Sequence, residues 1–215
     1  MEVREDISVP WNKTIVIVGA RNQGKSNLAQ FLVLNPEAEG NRGLGCQCDV
    51  ILVFGNGASY LQWAWLQKPH KVYPQLEESA IKEAFRINEL RLQRGKKPIR
   101  FLLVFDDSLS RETVHSSTIN KVFTHGRHTH IVPMVLQQSI SQVHSDWKRN
   151  ADIFFLFRPR TMNDRNWVHE NLLETEKAES LAMLLRIPKH TCLVVDYSDS
   201  ETKTYQLKAP LISVE

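Results

Sequence analysis

The chain of 215 residues has only three cysteines, Cys46, Cys48 and Cys192. Three thiols build no disulfide framework, so a reducing compartment is the simpler expectation. Cys46-Gln-Cys48 has no second pair at ligand spacing, which argues for plain thiols over half a zinc site. No apolar run is long enough to span a bilayer, and no secretory leader stands at the N-terminus. Internal repeats and low-complexity tracts are absent too. Charge is nearly balanced: 27 Lys and Arg against 24 Asp and Glu give +3, with a pI near 8.8. That is compatible with a polyanionic partner without requiring one. A hydrophobic fraction of 42% excludes disorder and supports a substantial core. One α/β domain over residues 1–215 is expected, with an arm at 1–13 and a hairpin extension at 188–215.

What is present begins at residue 14. Thr-Ile-Val-Ile-Val-Gly-Ala-Arg-Asn-Gln-Gly-Lys-Ser places a β-branched run, Ile15 to Val18, before G-x-x-x-x-G-K-S. A helical stretch, Asn27 to Leu34, follows. Strand, glycine-bounded loop and helix are the context a phosphate-binding P-loop requires. The expected nucleotide contacts are Gly19, Ala20, Arg21, Asn22, Gln23, Gly24, Lys25, Ser26 and Asn27. Backbone N–H groups and the positive end of the helix attract phosphate oxygens. Lys25 reaches the terminal phosphates, and the Ser26 hydroxyl serves Mg²⁺. ATP and Mg²⁺ are the expected cofactors.

Further along, Pro36 to Gly45 reads as a loop. Asp49 to Phe54 reads as a strand buried on both faces. Residues 59–67, with Tyr60, Trp63 and Trp65, read as a short helix or lid whose aromatics pack on the sheet edge. Glu77 to Arg94 is a clear helix, stopped by Gly95 and Pro98. Its end carries Arg91, Arg94, Lys96, Lys97 and Arg100, five cations in ten residues. They suit a helix C-terminus, and equally a nucleic-acid contact. Phe101 to Asp107 is a buried strand ending in two carboxylates. Residues 110–125 are expected as helix, 131–136 as a strand despite Pro133, 140–148 as helix and 153–157 as a fifth strand. Residues 161–186 read as helical, and 191–196 with 203–207 as a hairpin. Alternating strands and helices imply a mainly parallel sheet covered on both faces.

The acidic strand narrows the chemistry. Asp106 suits Mg²⁺, and Asp107 suits orienting and deprotonating an attacking water. Adjacent carboxylates repel unless a counter-charge is near. If the strand ending in Gln137-Gln138 inserts beside the P-loop strand, the Gln138 amide lies near the γ-phosphate. That is the layout of the ASCE class of P-loop ATPases, a three-layer α/β fold. His125, His128 and His130 match no metal-ligand spacing.

Taken in order, Gly19-x4-Gly24-Lys25-Ser26, Leu-Leu-Val-Phe-Asp106-Asp107, Gly126-Arg127-His128, Val-Leu-Gln-Gln138-Ser139 and Arg149-Asn150-Ala-Asp-Ile-Phe-Phe-Leu-Phe-Arg158 resemble the FtsK/HerA superfamily. Within it, the chain is most similar to poxvirus-type genome-packaging ATPases of viruses with double jelly-roll capsids. The resemblance covers residues 12 to 160. It implies a homo-oligomeric ring, pentamer or hexamer, that drives double-stranded DNA through a portal vertex into a preformed capsid. The implied locations are host cytoplasm and virion. The resemblance assigns Lys25 and Ser26 to phosphate and Mg²⁺, Asp106 and Asp107 to the Walker B pair, and Gln138 to the sensor. Arg127, Arg158 and Arg160 are candidates for an arginine that completes a neighbouring subunit's site. Many relatives carry Glu where Asp107 stands, which leaves the general base open. The alternatives are an ATP-dependent kinase acting on a small molecule or nucleotide, and a slow nucleotide-dependent assembly switch. No kinase lid motif and no Asn-Lys-x-Asp guanine signature stand in the sequence.

Overall fold

The computed structural model describes residues 2–5, 7, 9–34, 43–110 and 113–209. The strands are β1 (Val3–Arg4), β2 (Ile15–Val18), β3 (Val50–Gly55), β4 (Lys71–Tyr73), β5 (Phe101–Asp106), β6 (Ile131–Gln137), β7 (Ile153–Phe157), β8 (Thr191–Asp196) and β9 (Lys203–Lys208). The α-helices are α1 (Lys25–Leu34), α2 (Leu44–Gln47), α3 (Ala58–Gln62), α4 (Glu78–Gln93), α5 (Ser117–His125), α6 (Ser145–Asn150), α7 (Met162–Leu172) and α8 (Lys177–Arg186).

The nine strands among the described residues join one sheet in the order β1-β9-β8-β7-β2-β6-β5-β3-β4. From β7 to β4 the pairing is parallel, as right-handed crossovers through helices demand. β8 and β9 form the expected hairpin and add to β7 antiparallel. The fold is therefore α/β with a mainly parallel sheet between two helical layers.

The layers follow from the pleat, which sends alternate side chains to opposite faces. Ile15 and Ile17 of β2 face Leu28, Ala29, Leu32 and Val33 of α1, with Trp63 in the same cluster. Val16 and Val18 face the opposite cluster, built from α4, α5, α6, α7 and α8. Burying each such side chain contributes about 1.5–3 kcal/mol, so four buried residues anchor the P-loop strand firmly. On the second face Phe123 and Trp147 stack with centroids 4.5 Å apart and 13° between planes.

Several expected elements are corrected. The helix expected over 110–125 is a 3₁₀ turn at Thr113–His115 followed by α5, whose start is fixed by Ser116 accepting from Ile119 N–H. A hydroxyl at the cap stops the helix from extending backwards. Residues 111 and 112 lie outside the described residues. The helix expected over 140–148 is a 3₁₀ turn at Ile140–Gln142, then α6 capped by His144. The stretch 161–186 is two helices. Leu173 is extended after α7, and the Ser180 hydroxyl bonds Thr175 and His169, pinning the reversal between them. The N-terminal arm is also more than an arm: β1 pairs parallel with β9, and Ile7 and Val9 are buried. β4, paired with β3, lies outside the expected strands. Of the expected loop at 36–45, residues 36–42 lie outside the described residues, and Leu44 begins α2. Pro133 pairs with Leu103 one residue before β6 meets β2 at Met134, near the strand's start where a missing N–H costs least.

Gly126 shows why the Gly-Arg-His segment begins as it does. A Cβ there would lie 2.3 Å from the Ile131 carbonyl oxygen at the start of β6. Gly126→Ala is expected to destabilise the fold by about 1–3 kcal/mol, read as a lower urea midpoint with an unchanged slope.

Candidate nucleotide-binding and catalytic site

β2, β6 and β5 are neighbours and run parallel, so their C-terminal ends open on one edge. Open parallel sheets bind ligands in the crevice at that edge. Register sets the level: Val18 pairs with Gln137, and Asp106 pairs with Leu136. Gly19 N–H then donates to the Gln137 carbonyl at 3.0 Å, tying the phosphate loop to β6.

The loop from Gly19 to Gly24 leads into α1, which opens at Lys25. Gly24 has φ +107°, a conformation that L side chains rarely adopt. Asn22 is also left-handed, at φ 61°. Gln23 folds across the loop, its Oε1 accepting from Ala20 N–H at 2.9 Å and its Nε2 donating to the Arg158 carbonyl at 3.2 Å. Lys25 is buried, and its charge helps favour the ionised form of Asp106.

The two acids diverge. Asp106 is almost fully buried. Its Oδ1 lies 3.5 Å from Ser26 Oγ, and its Oδ2 accepts from Trp63 Nε1–H at 2.9 Å. Burial pushes its carboxyl above the usual range, against the pull of the Trp63 and Ser26 bonds and of Lys25; the Asp107 charge raises it further. A hydroxyl and a carboxylate oxygen facing each other are the hard donors that Mg²⁺ takes. Asp107 leaves the strand with φ 51°. Its Oδ2 accepts from Gln138 Nε2 at 3.4 Å. Of the glutamine pair, Gln137 is buried and bonds the Leu109 carbonyl, so Gln138 alone of the two meets the acid. The structure thus brings Lys25, Ser26, Asp106, Asp107 and Gln138 to one edge. A cavity of about 270 Å³ beside them is lined by Gly19, Arg21, Gln138, Arg158 and Asp164, among others.

The remaining candidates divide. Arg158 follows β7 at the same edge, beside its own chain's P-loop. Arg127 lies at the other end of the sheet, before β6. Its guanidinium pairs with Asp152 at 3.0 Å and donates to the Asn150 carbonyl at 2.9 Å. Asp152 Oδ2 also accepts from Thr14 N–H at 2.6 Å, so Arg127 braces the starts of β2 and β7. The cations Arg91, Arg94, Lys96, Lys97 and Arg100 close α4 and enter β5, at that same remote end. There Gly95 and Lys96 N–H cap the α4 carbonyls, Arg91 bonds the Lys97 carbonyl, and Arg100 pairs with Asp49 at 3.3 Å. Trp63 was missed by sequence reasoning as a site residue. Its one signal is chemical: a buried indole needs an acceptor for its N–H.

Strand order and phosphate loop together define an α/β fold of the P-loop ATPase type. Solved structures agree. B204, the genome packaging NTPase from Sulfolobus turreted icosahedral virus 2 in complex with ATP-γS, is 15% identical and superposes with a TM-score of 0.63, over 93% of this chain and 100% of that one. EssC (ATPases 2 and 3) from Geobacillus thermodenitrificans is 13% identical with a TM-score of 0.63, over 94% of this chain and 41% of that one. EccC (ATPases 2 and 3) from Thermomonospora curvata is 16% identical with a TM-score of 0.58, over 95% and 38%. No protein-family model matches the chain, and no curated protein matches it in sequence. No helix among the described residues is long and apolar enough to cross a membrane.

Two outcomes follow from the electrostatics. A raised carboxyl pKa in the fold favours the protonated acid, so its stabilising contribution is present at low pH and lost as pH rises through the folded value. Near neutrality Asp106 is therefore a cost, and Asp106→Asn should raise the melting temperature of nucleotide-free protein in chelator. The gain should vanish toward the carboxylate range, where Asp106 itself becomes protonated. Arg127→Ala should cost about 1 kcal/mol, discounted for its partial exposure, with a melt independent of protein concentration.

Proposed function

We propose that the chain is an ATP-hydrolysing motor that moves double-stranded DNA, packaging a viral genome into a preformed capsid as a homo-oligomeric ring. The observation that carries the hydrolytic part is the meeting of Ser26, Asp106, Asp107 and Gln138 at one sheet edge, with β6 between β2 and β5. The DNA part rests on the resemblance to FtsK/HerA packaging ATPases. The superposition over nearly the whole of both chains with a genome packaging NTPase supports it.

In this reading the P-loop amides and the α1 N-terminus bind the triphosphate, and Lys25 offsets its charge. Ser26 and Asp106 hold Mg²⁺, which when bound polarises the phosphate oxygens. Asp107 accepts a proton from the attacking water, and Gln138 orients that water and senses the terminal phosphate. A buried charge beside phosphate acts in low dielectric, where orientation matters most. An arginine from a neighbouring subunit completes the site. Arg127 is held by Asp152 at the remote end of the sheet, so Arg158 and Arg160, at the nucleotide edge, are the remaining candidates. The basic end of α4 is a candidate DNA contact. The protein works at the capsid's packaging vertex, in cytoplasm and virion.

The test is ATPase rate with and without long duplex DNA. Wild type should turn over repeatedly and faster on DNA, and the stimulation should fall steeply with salt. Asp107→Ala should lower kcat at least about 100-fold with nucleotide affinity retained. Normal hydrolysis by Lys25→Ala would overturn the assignment. Phosphate transfer to a small acceptor, indifferent to DNA, would replace the motor with a kinase.

A further inference from the structure

Trp63 is a large, fully buried residue whose polar atom is spent on the nucleotide edge. It follows α3, the short helix between β3 and β4, and belongs to the α1-side core. Its indole N–H donates to Asp106 Oδ2 at 2.9 Å, inside the protein. The same segment meets Asp106 a second time, because the one proton of Ser59 Oγ is shared between the Asn56 carbonyl at 2.9 Å and the Asp106 carbonyl at 3.1 Å. It also reaches the P-loop helix, where the buried Gln30 of α1 donates to the Gln62 carbonyl at 2.7 Å. Residues 59–63 therefore join β5, which carries the acid, to α1, which carries Lys25 and Ser26.

We propose that Trp63 is a positioning residue for Asp106: its N–H fixes one carboxylate oxygen and so leaves the other turned toward Ser26 to receive the divalent cation. This rests on the nucleotide-and-cation reading above. The physical reason is rotational. The terminal torsion of an aspartate is broad and soft, so a carboxylate adopts the orientation its donors impose. The Ser26 hydroxyl, 3.5 Å away, is a weak restraint, whereas the indole bond is short and buried. Outer donors of this kind orient the ligands of metal sites.

Trp65 supplies the internal control. Its ring stacks on Trp63 with centroids 6.2 Å apart, yet its buried Nε1 has no hydrogen-bond partner among the described residues. Losing either ring disturbs the same packing, but only Trp63 touches the acid.

The experiment compares ATPγS affinity with Mg²⁺ and with chelator in wild type, Trp63→Phe and Trp65→Phe. Trp63→Phe should lose roughly tenfold or more of the affinity gained from Mg²⁺, with metal-free affinity within about twofold of wild type. Trp65→Phe should keep both. An undiminished Mg²⁺ gain in folded Trp63→Phe, or an equal loss in Trp65→Phe, would overturn the proposal. A measurement on wild type needs no variant to fold: the Trp63 indole N–H resonance should move when Mg²⁺ is added to the ATPγS complex, and a stationary resonance would overturn the proposal as well. Wild type that fails to bind ATPγS under either condition would instead remove the nucleotide reading, and the proposal with it.

Discussion

The constraint on which the rest depends is the insertion of β6 between β2 and β5 in parallel register. A slip of one residue would turn every side chain of β6 to the opposite face. Met134 and Leu136 would leave the α1-side core, and Val135 would leave the other. Both faces are buried, so a slip would be opposed by misfitted packing on each face rather than by exposed apolar surface. That same register delivers Gly19, Gln138 and the acid pair to one level. The chemistry is thus aligned by residues that never touch it.

The edge so created is costly to the fold. Asp106 is a buried acid whose ionisation burial opposes, and Asp107 and Asn22 occupy left-handed backbone that non-glycine residues rarely adopt. Left-handed residues also stand at the remote end, Asn12 at φ 78° and His130 at φ 57°, so the buried acid rather than the backbone sets this edge apart. The support is visible at the remote end of the sheet. There Arg127, Asp152 and Thr14 cross-link the starts of β2 and β7, and the buried Asn88 bonds the Ile99 and Thr129 carbonyls. At the nucleotide edge the contacts of Ser26 with Asp106 and of Gln138 with Asp107 are long, 3.5 and 3.4 Å.

Much of this was legible in the residues. Ile15 to Val18 and Phe101 to Phe105 are continuous apolar runs, and such runs mark strands buried on both faces. The P-loop declares itself by glycine spacing, and the place of Gln138 follows if β6 is the inserted strand. Helix boundaries were less legible. Ser116 and His144 act as caps inside stretches whose apolar spacing alone suggests continuous helix. β4 has three residues, too few to show a period. The bond from Trp63 to Asp106 spans 43 positions, and the roles of Arg127 and Asp152 depend on strand order. Local pattern carries no information about contacts of that kind.

The most direct measurement of the central claim is an experimental structure of the chain with Mg²⁺ and ATPγS. The terminal phosphate is expected at the N-terminus of α1, within hydrogen-bond reach of Lys25, with Ser26 and Asp106 on the cation. Asp107 and Gln138 should flank the side from which water attacks. A triphosphate bound away from the ends of β2, β5 and β6, or a Gln138 facing away from it, would contradict that expectation.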